Sequence, residues 1–252
     1  MSMTVAVVYA LLAGLLVGSF LTVVAHRVPR SQSVVGPRSR CPGCGDQIAA
    51  YDNVPVFSWI ALRGRARCCG SAISARYPLT ELAVGALFAA VTLAFWDEPW
   101  EIALGLVFVS TLVAITLTDL DLKLIPNKIL LAAAVLAVAI VALGDPASLP
   151  ERLAAAAAAG GLLFAAALAY PNGMGLGDVK LAATMGLFLG WNVAPALLIA
   201  LFAGSCVGLG LIAREGPAAR KKGIPFGPFL ALGGLVALFV GDSLIDLYLS
   251  TF

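Results

Sequence analysis

Long apolar runs separated by short polar segments make up most of this 252-residue chain. Seven of the runs reach 18 residues, the length at which an α-helix crosses the hydrocarbon core of a bilayer. One further run, at 179–191, is short and predicts a helix that is tilted or partly enclosed by protein. The pattern therefore predicts an all-α polytopic membrane protein. Its eight transmembrane helices are expected at residues 3–25, 78–96, 101–118, 126–143, 152–170, 179–191, 193–213 and 226–249.

The composition excludes an ordinary soluble domain. Hydrophobic residues make up 61% of the chain and charged residues 12%, and a soluble domain of this length has no core large enough to bury so much apolar surface. The first run has no basic segment before it and no small-residue cleavage site after it, so we expect a retained helix rather than a signal peptide. We divide the chain into a first transmembrane helix (1–25), a small polar domain (26–77) and a seven-helix transmembrane domain (78–252).

Basic residues are concentrated in alternate segments between the predicted helices. Cytoplasmic loops of membrane proteins are enriched in Lys and Arg, so this distribution sets the orientation. Four segments on one side carry 15 of the 16 Lys and Arg residues, and we therefore expect these segments to be cytoplasmic and both termini to lie outside. The polar domain alone contains eight arginines, which suit the anionic head groups of membrane lipids. The four segments are 26–77, 119–128, 171–180 and 214–225.

Four of the five cysteines lie in the polar domain, in the short sequences CPGC (41–44) and RCCG (67–70). Two close groups of thiols separated by a loop suggest a small zinc knuckle. Adjacent cysteines do not easily serve one tetrahedral metal ion, so the sequence leaves open whether all four bind, and a disulfide is less expected on a cytoplasmic face. We expect the fifth cysteine, Cys206, to be a buried apolar residue. The candidate zinc ligands are Cys41, Cys44, Cys68 and Cys69.

Two acidic residues stand at the cytoplasmic ends of predicted helices. Asp119 closes the third apolar run and Asp178 opens the sixth. A carboxylate is expensive at the edge of the hydrocarbon, and two carboxyl groups brought close together cannot both ionise cheaply, so such a pair shares a proton. One member then accepts the proton of an attacking water while the other, protonated, polarises a peptide carbonyl. These residues suggest an aspartic peptidase site.

The residues just before and after Asp178 read GMGLGDVK (173–180). The glycines Gly173, Gly175 and Gly177 remove side chains, so backbone or an extended peptide can approach the acid closely. The same stretch by itself also fits a glycine-rich contact between helices, with Lys180 reaching to the membrane surface. The presence of a second acid at the same face favours the catalytic interpretation.

Asp119, seven positions before Pro126-Asn127, together with GMGLGDVK resembles the two motifs of the type IV prepilin peptidases, membrane aspartic proteases of the GxGD type. GSFLTVVAHRVPR at the end of the first helix, the cysteine-containing segment down to RYPLTE, and GIPFGPFLALGG at the start of the last helix are also similar to that family. The resemblance implies that Asp119 and Asp178 are the catalytic pair and that the peptidase needs no cofactor. Residues given a supporting role are Gly175, Gly177, Lys180 and, at most, Asp121.

The resemblance also implies a second activity. Long members of the family methylate the new N-terminal amine with S-adenosylmethionine, and Glu81 and Gly85 occupy the positions associated with that reaction. The alternative for Glu81 is a salt bridge to Arg76 or a cap on the second transmembrane helix. The chain departs from the family pattern at Ala66, where a cysteine is usual, while Cys69 matches the next family cysteine.

The implied substrate is a type IV prepilin or pseudopilin, with a short basic leader that ends in glycine ahead of a hydrophobic helix. The implied location is the bacterial cytoplasmic (inner) membrane, with the active site at the cytoplasmic face, in type IV pilus or type II secretion systems. Membrane lipids are expected partners and nucleic acid is not. Two alternatives remain: an ion- or proton-coupled transporter using intramembrane acids, for which no repeated or inverted copy of the glycine motif is found, and an inactive assembly scaffold.

Overall fold

The computed structural model describes residues 2–170, 173–216 and 223–251, so the expected cytoplasmic segments 171–180 and 214–225 lie partly outside it. Within this part of the chain there is no β-strand, only two isolated β-bridges. The described α-helices are α1 (Met3–Arg27), α2 (Phe57–Ala61), α3 (Arg76–Ala94), α4 (Pro99–Leu122), α5 (Asn127–Gly144), α6 (Leu149–Ala169), α7 (Leu176–Leu189), α8 (Val193–Glu215) and α9 (Gly227–Leu249).

Seven helical segments in the described residues are long and apolar enough to cross a membrane, which confirms the polytopic helical class. One of them, Leu176–Glu215, is interrupted by the short 3₁₀ turn Gly190–Asn192 and so contains both α7 and α8. α7 has only 14 residues and spans about 21 Å, less than the roughly 30 Å of a bilayer core. The predicted short sixth helix is therefore present and short.

The first of two compact units, Met1–Glu98, is built on α1 and α3. A Cβ atom at Gly14 would lie 2.7 Å from Cα of Gly85, and one at Gly18 would lie 2.8 Å from Cα of Glu81. Because the earlier position on α1 meets the later position on α3, the two helices are antiparallel. Small residues at such an interface allow backbones to approach closely, which is how apolar helices gain packing energy in lipid.

Between α1 and α3 the chain forms a small domain with little regular structure. Two side-chain contacts lie in its second half: the guanidinium of Arg67 pairs with the carboxylate of Asp52 at 2.9 Å, and the indole N–H of Trp59 donates to the carbonyl of Ile73 at 3.0 Å. These contacts close the part of the domain that carries Cys68 and Cys69.

The second unit, Pro99–Phe252, contains α4 to α9. The α6–α7 pair is in backbone contact, since a Cβ at Gly186 would lie 2.5 Å from Cα of Ala156. The α8–α9 pair is equally close at Gly233, where a Cβ would meet the carbonyl of Ala196. The largest fully buried side chains of this unit are Phe108, Leu112, Ile115, Leu181, Met185 and Leu230.

An ion pair joins three helices at the end of this unit opposite Asp119 and Asp178. The guanidinium of Arg152 on α6 donates to the carboxylate of Glu101 on α4 at 2.5 Å, and also to the carbonyl of Phe188 near the end of α7. Arg152 is the one basic residue that the charge distribution places outside.

Large apolar side chains cover the outer faces of the helices, among them Leu143 and Phe202, with 79% and 73% of their surface exposed. Such surfaces suit contact with lipid tails. Cys206 on α8 is exposed as well, so the expectation that it is buried is wrong. The side of α8 that packs against α9 is buried, and Cys206 lies on a different side of the helix.

Candidate active site

Asp119 lies in the last full turn of α4 and is nearly buried, with 5% of its surface exposed. Its Oδ2 accepts a hydrogen bond of 2.8 Å from the backbone N–H of Gly227. Because Gly227 is the first residue of α9, the carboxyl group also faces the positive end of that helix dipole. A buried carboxylate needs such a partner, since an unpaired one is strongly disfavoured in an apolar environment.

Asp178 is the third residue of α7 and is half-buried. Its Oδ2 accepts the N–H of Gly175, the residue that precedes the helix, at 3.2 Å. This is the return contact of a helix capping box, so the acid also helps to start its own helix. The two carboxyl groups lie near enough for the charge of Asp119 to act on Asp178. The structure thus brings the two predicted acids into one region.

The supporting glycines have specific neighbours. A Cβ at Gly177 would lie 3.0 Å from Cβ of Ile125, so the missing side chain lets the start of α7 approach the segment before α5. A Cβ at Gly175 would lie 3.3 Å from Oδ2 of Asp178. The supporting role of these glycines in catalysis stays a prediction.

Two charged residues, Lys180 and Asp121, lie within two positions of the acids in sequence, and their side chains have different surroundings. Lys180 donates to Oδ1 of Asn127 at 3.0 Å, which ties α7 to the first residue of α5. Asp121 is exposed and follows Asp119 by two residues, so its side chain points about 200° around the helix from it. Lys180 thus joins α7 to α5, and Asp121 is directed away from Asp119; the supporting role of Lys180 stays a prediction.

Sequence reasoning missed Gly227 as a part of this site. The proline that follows it marks the start of a helix, and the free N–H groups of a helix start are natural partners for a carboxylate. This signal indicates where unpaired amides will be. It does not indicate that they meet Asp119, which is 108 positions away in sequence.

The four cysteines of the polar domain come together in one cluster. Their sulfur atoms all lie within 4.8 Å of one another. Cys41 and Cys69 are 3.6 Å apart between Sγ atoms, and Cys44 and Cys68 are 3.2 Å apart. Tetrahedral coordination at a Zn–S distance of about 2.3 Å requires sulfurs separated by about 3.8 Å. The donor set therefore fits a structural zinc ion.

The backbone explains how adjacent cysteines take part in one cluster. Two turns, each closed by a single antiparallel bridge and ended by a glycine at positive φ, carry the sulfurs. The two turns match position by position. Cys69 of the second turn corresponds to Cys44 of the first, and Ala66 of the second corresponds to Cys41 of the first. Cys68 lies between them in sequence and supplies the fourth sulfur.

Hydrogen bonds prepare two of these thiols for metal binding. The backbone N–H groups of Cys44 and Gly43, together with Ser71, lower the pKa of the Cys41 thiol to about 6. Hydrogen bonding with Ser71 also lowers the pKa of the Cys69 thiol. The thiolate is the form that binds a metal, so these shifts favour the ligand state.

Glu81 and Gly85 lie one turn apart on α3. The buried carboxylate of Glu81 accepts the backbone N–H of Val56 at 2.7 Å. Val56 has a φ of 63°, a strained conformation for a β-branched residue, and it directly precedes α2. Glu81 thus holds the start of the short helix α2. Gly85 packs on α1, where a Cβ would lie 3.0 Å from Cδ2 of Leu15.

Two family models match the chain. The bacterial peptidase A24 N-terminal domain matches residues 12–95, and the type IV leader peptidase family matches residues 106–213. A protein of Aeromonas hydrophila named prepilin leader peptidase/N-methyltransferase is 37% identical over 96% of this chain and 93% of its own length. The chain belongs to the type IV leader peptidase family.

Other relatives of the chain have the same name. The relative from Stutzerimonas stutzeri is 37% identical, and that from Pseudomonas aeruginosa PAO1 is 34% identical; each alignment covers 96% of this chain and 93% of the relative. No solved structure matches the chain at a significant level.

Membership of the leader peptidase family confirms the resemblance found from the motifs and does not support the transporter alternative. The N-terminal family model includes the cysteine cluster, Glu81 and Gly85. The leader peptidase model includes Asp119 and Asp178 and ends before Gly227.

Proposed function

We propose that this protein cleaves the leader from type IV prepilins or pseudopilins and methylates the amine that cleavage exposes. The relatives that match nearly the whole chain carry this double name. The structural observation that supports the peptidase activity best is that Asp119 and Asp178 stand at the ends of two apolar helices of one unit, each held through one oxygen by a backbone amide.

In the proposed reaction one carboxyl group is ionised and the other is protonated. The ionised group accepts a proton from a water molecule as that water attacks the scissile carbonyl, and the protonated group donates a hydrogen bond to the carbonyl oxygen. Oδ2 of Asp119 accepts the amide of Gly227, and Oδ2 of Asp178 accepts the amide of Gly175. The two Oδ1 atoms are therefore the ones that this chemistry would use.

The charge distribution supports a cytoplasmic position for the site, because both acids belong to the four alternate segments that together carry 15 of the 16 Lys and Arg residues. We place the protein in the bacterial cytoplasmic membrane. A prepilin whose hydrophobic helix begins at the same boundary would present its leader junction to the acid pair without leaving the bilayer.

For methyl transfer we propose residues 26–77 as the cytoplasmic domain, with S-adenosylmethionine as methyl donor and Glu81 and Gly85 associated with the reaction. Through the hydrogen bond that it accepts from Val56, Glu81 would fix the conformation of this domain in addition to supplying a negative charge. A zinc ion held by the four cysteines would join the two turns and add folding energy to the same domain. The peptidase site at 78–252 would need no cofactor.

Cleavage of a prepilin leader peptide by the purified full-length protein in detergent tests the proposal. Asp119→Asn and Asp178→Asn should each lower the rate at least about 10³-fold, because neither leaves a pair of carboxyl groups. Asp121→Asn should keep substantial activity. Cleavage at the wild-type rate by either of the first two variants would refute the aspartate pair. An inactive wild-type protein, with its helical content intact and several prepilins tried, would refute the peptidase proposal itself.

A further inference from the structure

Gly227 makes an unusually close backbone approach to Asp119. Its N–H donates to Oδ2 at 2.8 Å, and a Cβ at this position would lie 2.7 Å from the same oxygen. Side chains essentially never come so close, so only glycine fits unless the acid moves. The amide is one of the N–H groups at the start of α9 that have no partner inside the helix, and its direction is fixed by 23 residues of helix behind it.

Residues 223–227, which lead into α9, are anchored at two further points. Lys123, just after α4, donates from Nζ to the carbonyl of Gly223 at 2.7 Å. The ring of Phe226 lies against α8, where a Cβ at Gly204 would be 3.2 Å away. The amide that meets the acid is therefore held from α4 and α8 as well as by its own helix.

We propose that Gly227 is a positioning residue of the peptidase reaction, whose amide and missing side chain hold Asp119 with Oδ1 directed to the reacting groups. The inference rests on the proposed peptidase function. A carboxyl group turns easily about its last side-chain bond, which has broad minima, so a fixed donor on one oxygen decides where the other points. Lys123 contributes by holding residues 223–227 in place.

The geometry also predicts an electrostatic effect on the acid. The amide hydrogen bond and the helix dipole favour the ionised form of Asp119. Among the described residues, the charged side chains that act on this acid or are acted on by it are Lys123 and Asp178. Loss of the amide contact should therefore change the pH profile of kcat.

The test compares Gly227→Ala with Gly208→Ala in the prepilin cleavage assay. Gly208 lies on α8, and a Cβ there would have nothing within 4 Å, so its replacement controls for an added methyl group in a membrane helix. We expect kcat of Gly227→Ala to fall roughly 10²-fold, as when a reacting group is misplaced by about 1 Å. Its KM should stay within about twofold, because Gly227 contacts the acid and not the peptide.

A second pair of variants tests the same inference without crowding the buried site. Lys123 is exposed, so Lys123→Met should fold normally and lower kcat. Lys123→Arg keeps a donor for the carbonyl of Gly223 and should restore most of the activity. If both positions act through Asp119, the losses in Gly227→Ala and Lys123→Met should be less than additive in the double variant.

The outcomes separate the inference from the function on which it rests. A wild-type protein that does not cleave counts against the function. A wild-type protein that cleaves, with Gly227→Ala matching Gly208→Ala in kcat and pH profile, overturns the role of Gly227. If Gly227→Ala is not folded, an unchanged kcat in Lys123→Met overturns it instead.

Discussion

Replacing Cys68 by serine should weaken metal binding at the cysteine cluster. Position 66, where a cysteine is usual, is an alanine in this chain, and Cys68 supplies the fourth sulfur instead. The structure puts Sγ of Cys68 3.2 Å from Sγ of Cys44, within the cluster of four sulfurs. A serine hydroxyl is not a soft anionic ligand, so the variant retains three thiolates. We expect about one zinc per chain in the wild-type protein and much weaker binding in Cys68→Ser.

The size of the effect follows from the number of ligands. Structural zinc contributes roughly 10–16 kcal/mol of binding free energy at neutral pH. A quarter of that for one of four ligands is about 2.5–4 kcal/mol, which corresponds to a loss of affinity of roughly 10²–10³-fold at 1.4 kcal/mol for each factor of ten. Such a change is easily measured by competition with a chromogenic chelator.

Two variants make the experiment decisive. Cys206→Ser removes the exposed cysteine of α8 and should keep both the zinc content and its affinity. The double variant Ala66→Cys with Cys68→Ser moves the thiol to position 66, which corresponds to Cys41 of the first turn, and should recover zinc binding. Equal zinc affinity in Cys68→Ser and Cys206→Ser would show that Cys68 is not a ligand, and a wild-type protein without zinc would show that the domain folds by packing alone.

Three further changes have defined outcomes. Arg152→Met removes one side of a mostly buried ion pair with Glu101 and should destabilise the protein by roughly 2 kcal/mol, seen as a lower thermal midpoint in detergent; an unchanged midpoint contradicts this. Glu81→Gln keeps an oxygen for the α2 amide but loses the charge, so methyl transfer from labelled S-adenosylmethionine should fall while cleavage persists; unchanged methylation would assign this residue a structural role only. A cysteine at position 98 should react with an impermeant reagent added outside, and one at position 220, outside the described residues, should not; the reverse result would invert the topology.

The helices could be predicted from the sequence because membrane segments are defined by length and hydropathy alone. The helices predicted at 101–118 and 193–213, for example, are observed at Pro99–Leu122 and Val193–Glu215. The role of Asp119 and Asp178 could be suggested because acids at apolar boundaries are rare. By contrast, the contact of Asp119 with Gly227 depends on how α4 and α9 pack, and no local pattern encodes a pairing between positions so far apart.

The cysteine cluster illustrates a second limit of sequence reasoning. Spacing alone made adjacent Cys68 and Cys69 look poorly suited to one tetrahedral site. In the structure the turn points their sulfurs towards different partners, Cys44 and Cys41 respectively. Sequence spacing measures distance along the backbone, whereas coordination depends on side-chain direction, and here the turn lets the sulfurs of both neighbouring residues reach one cluster.

The contacts of the two proposed sites suggest that cleavage and methylation are separable. Every contact described for the acid pair comes from Pro99–Phe252, through Gly175 and Gly227. Every contact described for the cysteine cluster and for Glu81 comes from Met1–Glu98. Loss of the metal should therefore affect methyl transfer first, since the four cysteines belong to the first unit and the two acids to the second. Cleavage that disappeared together with the zinc, in a protein whose transmembrane helices remain folded, would mean that the first unit also shapes the peptidase site.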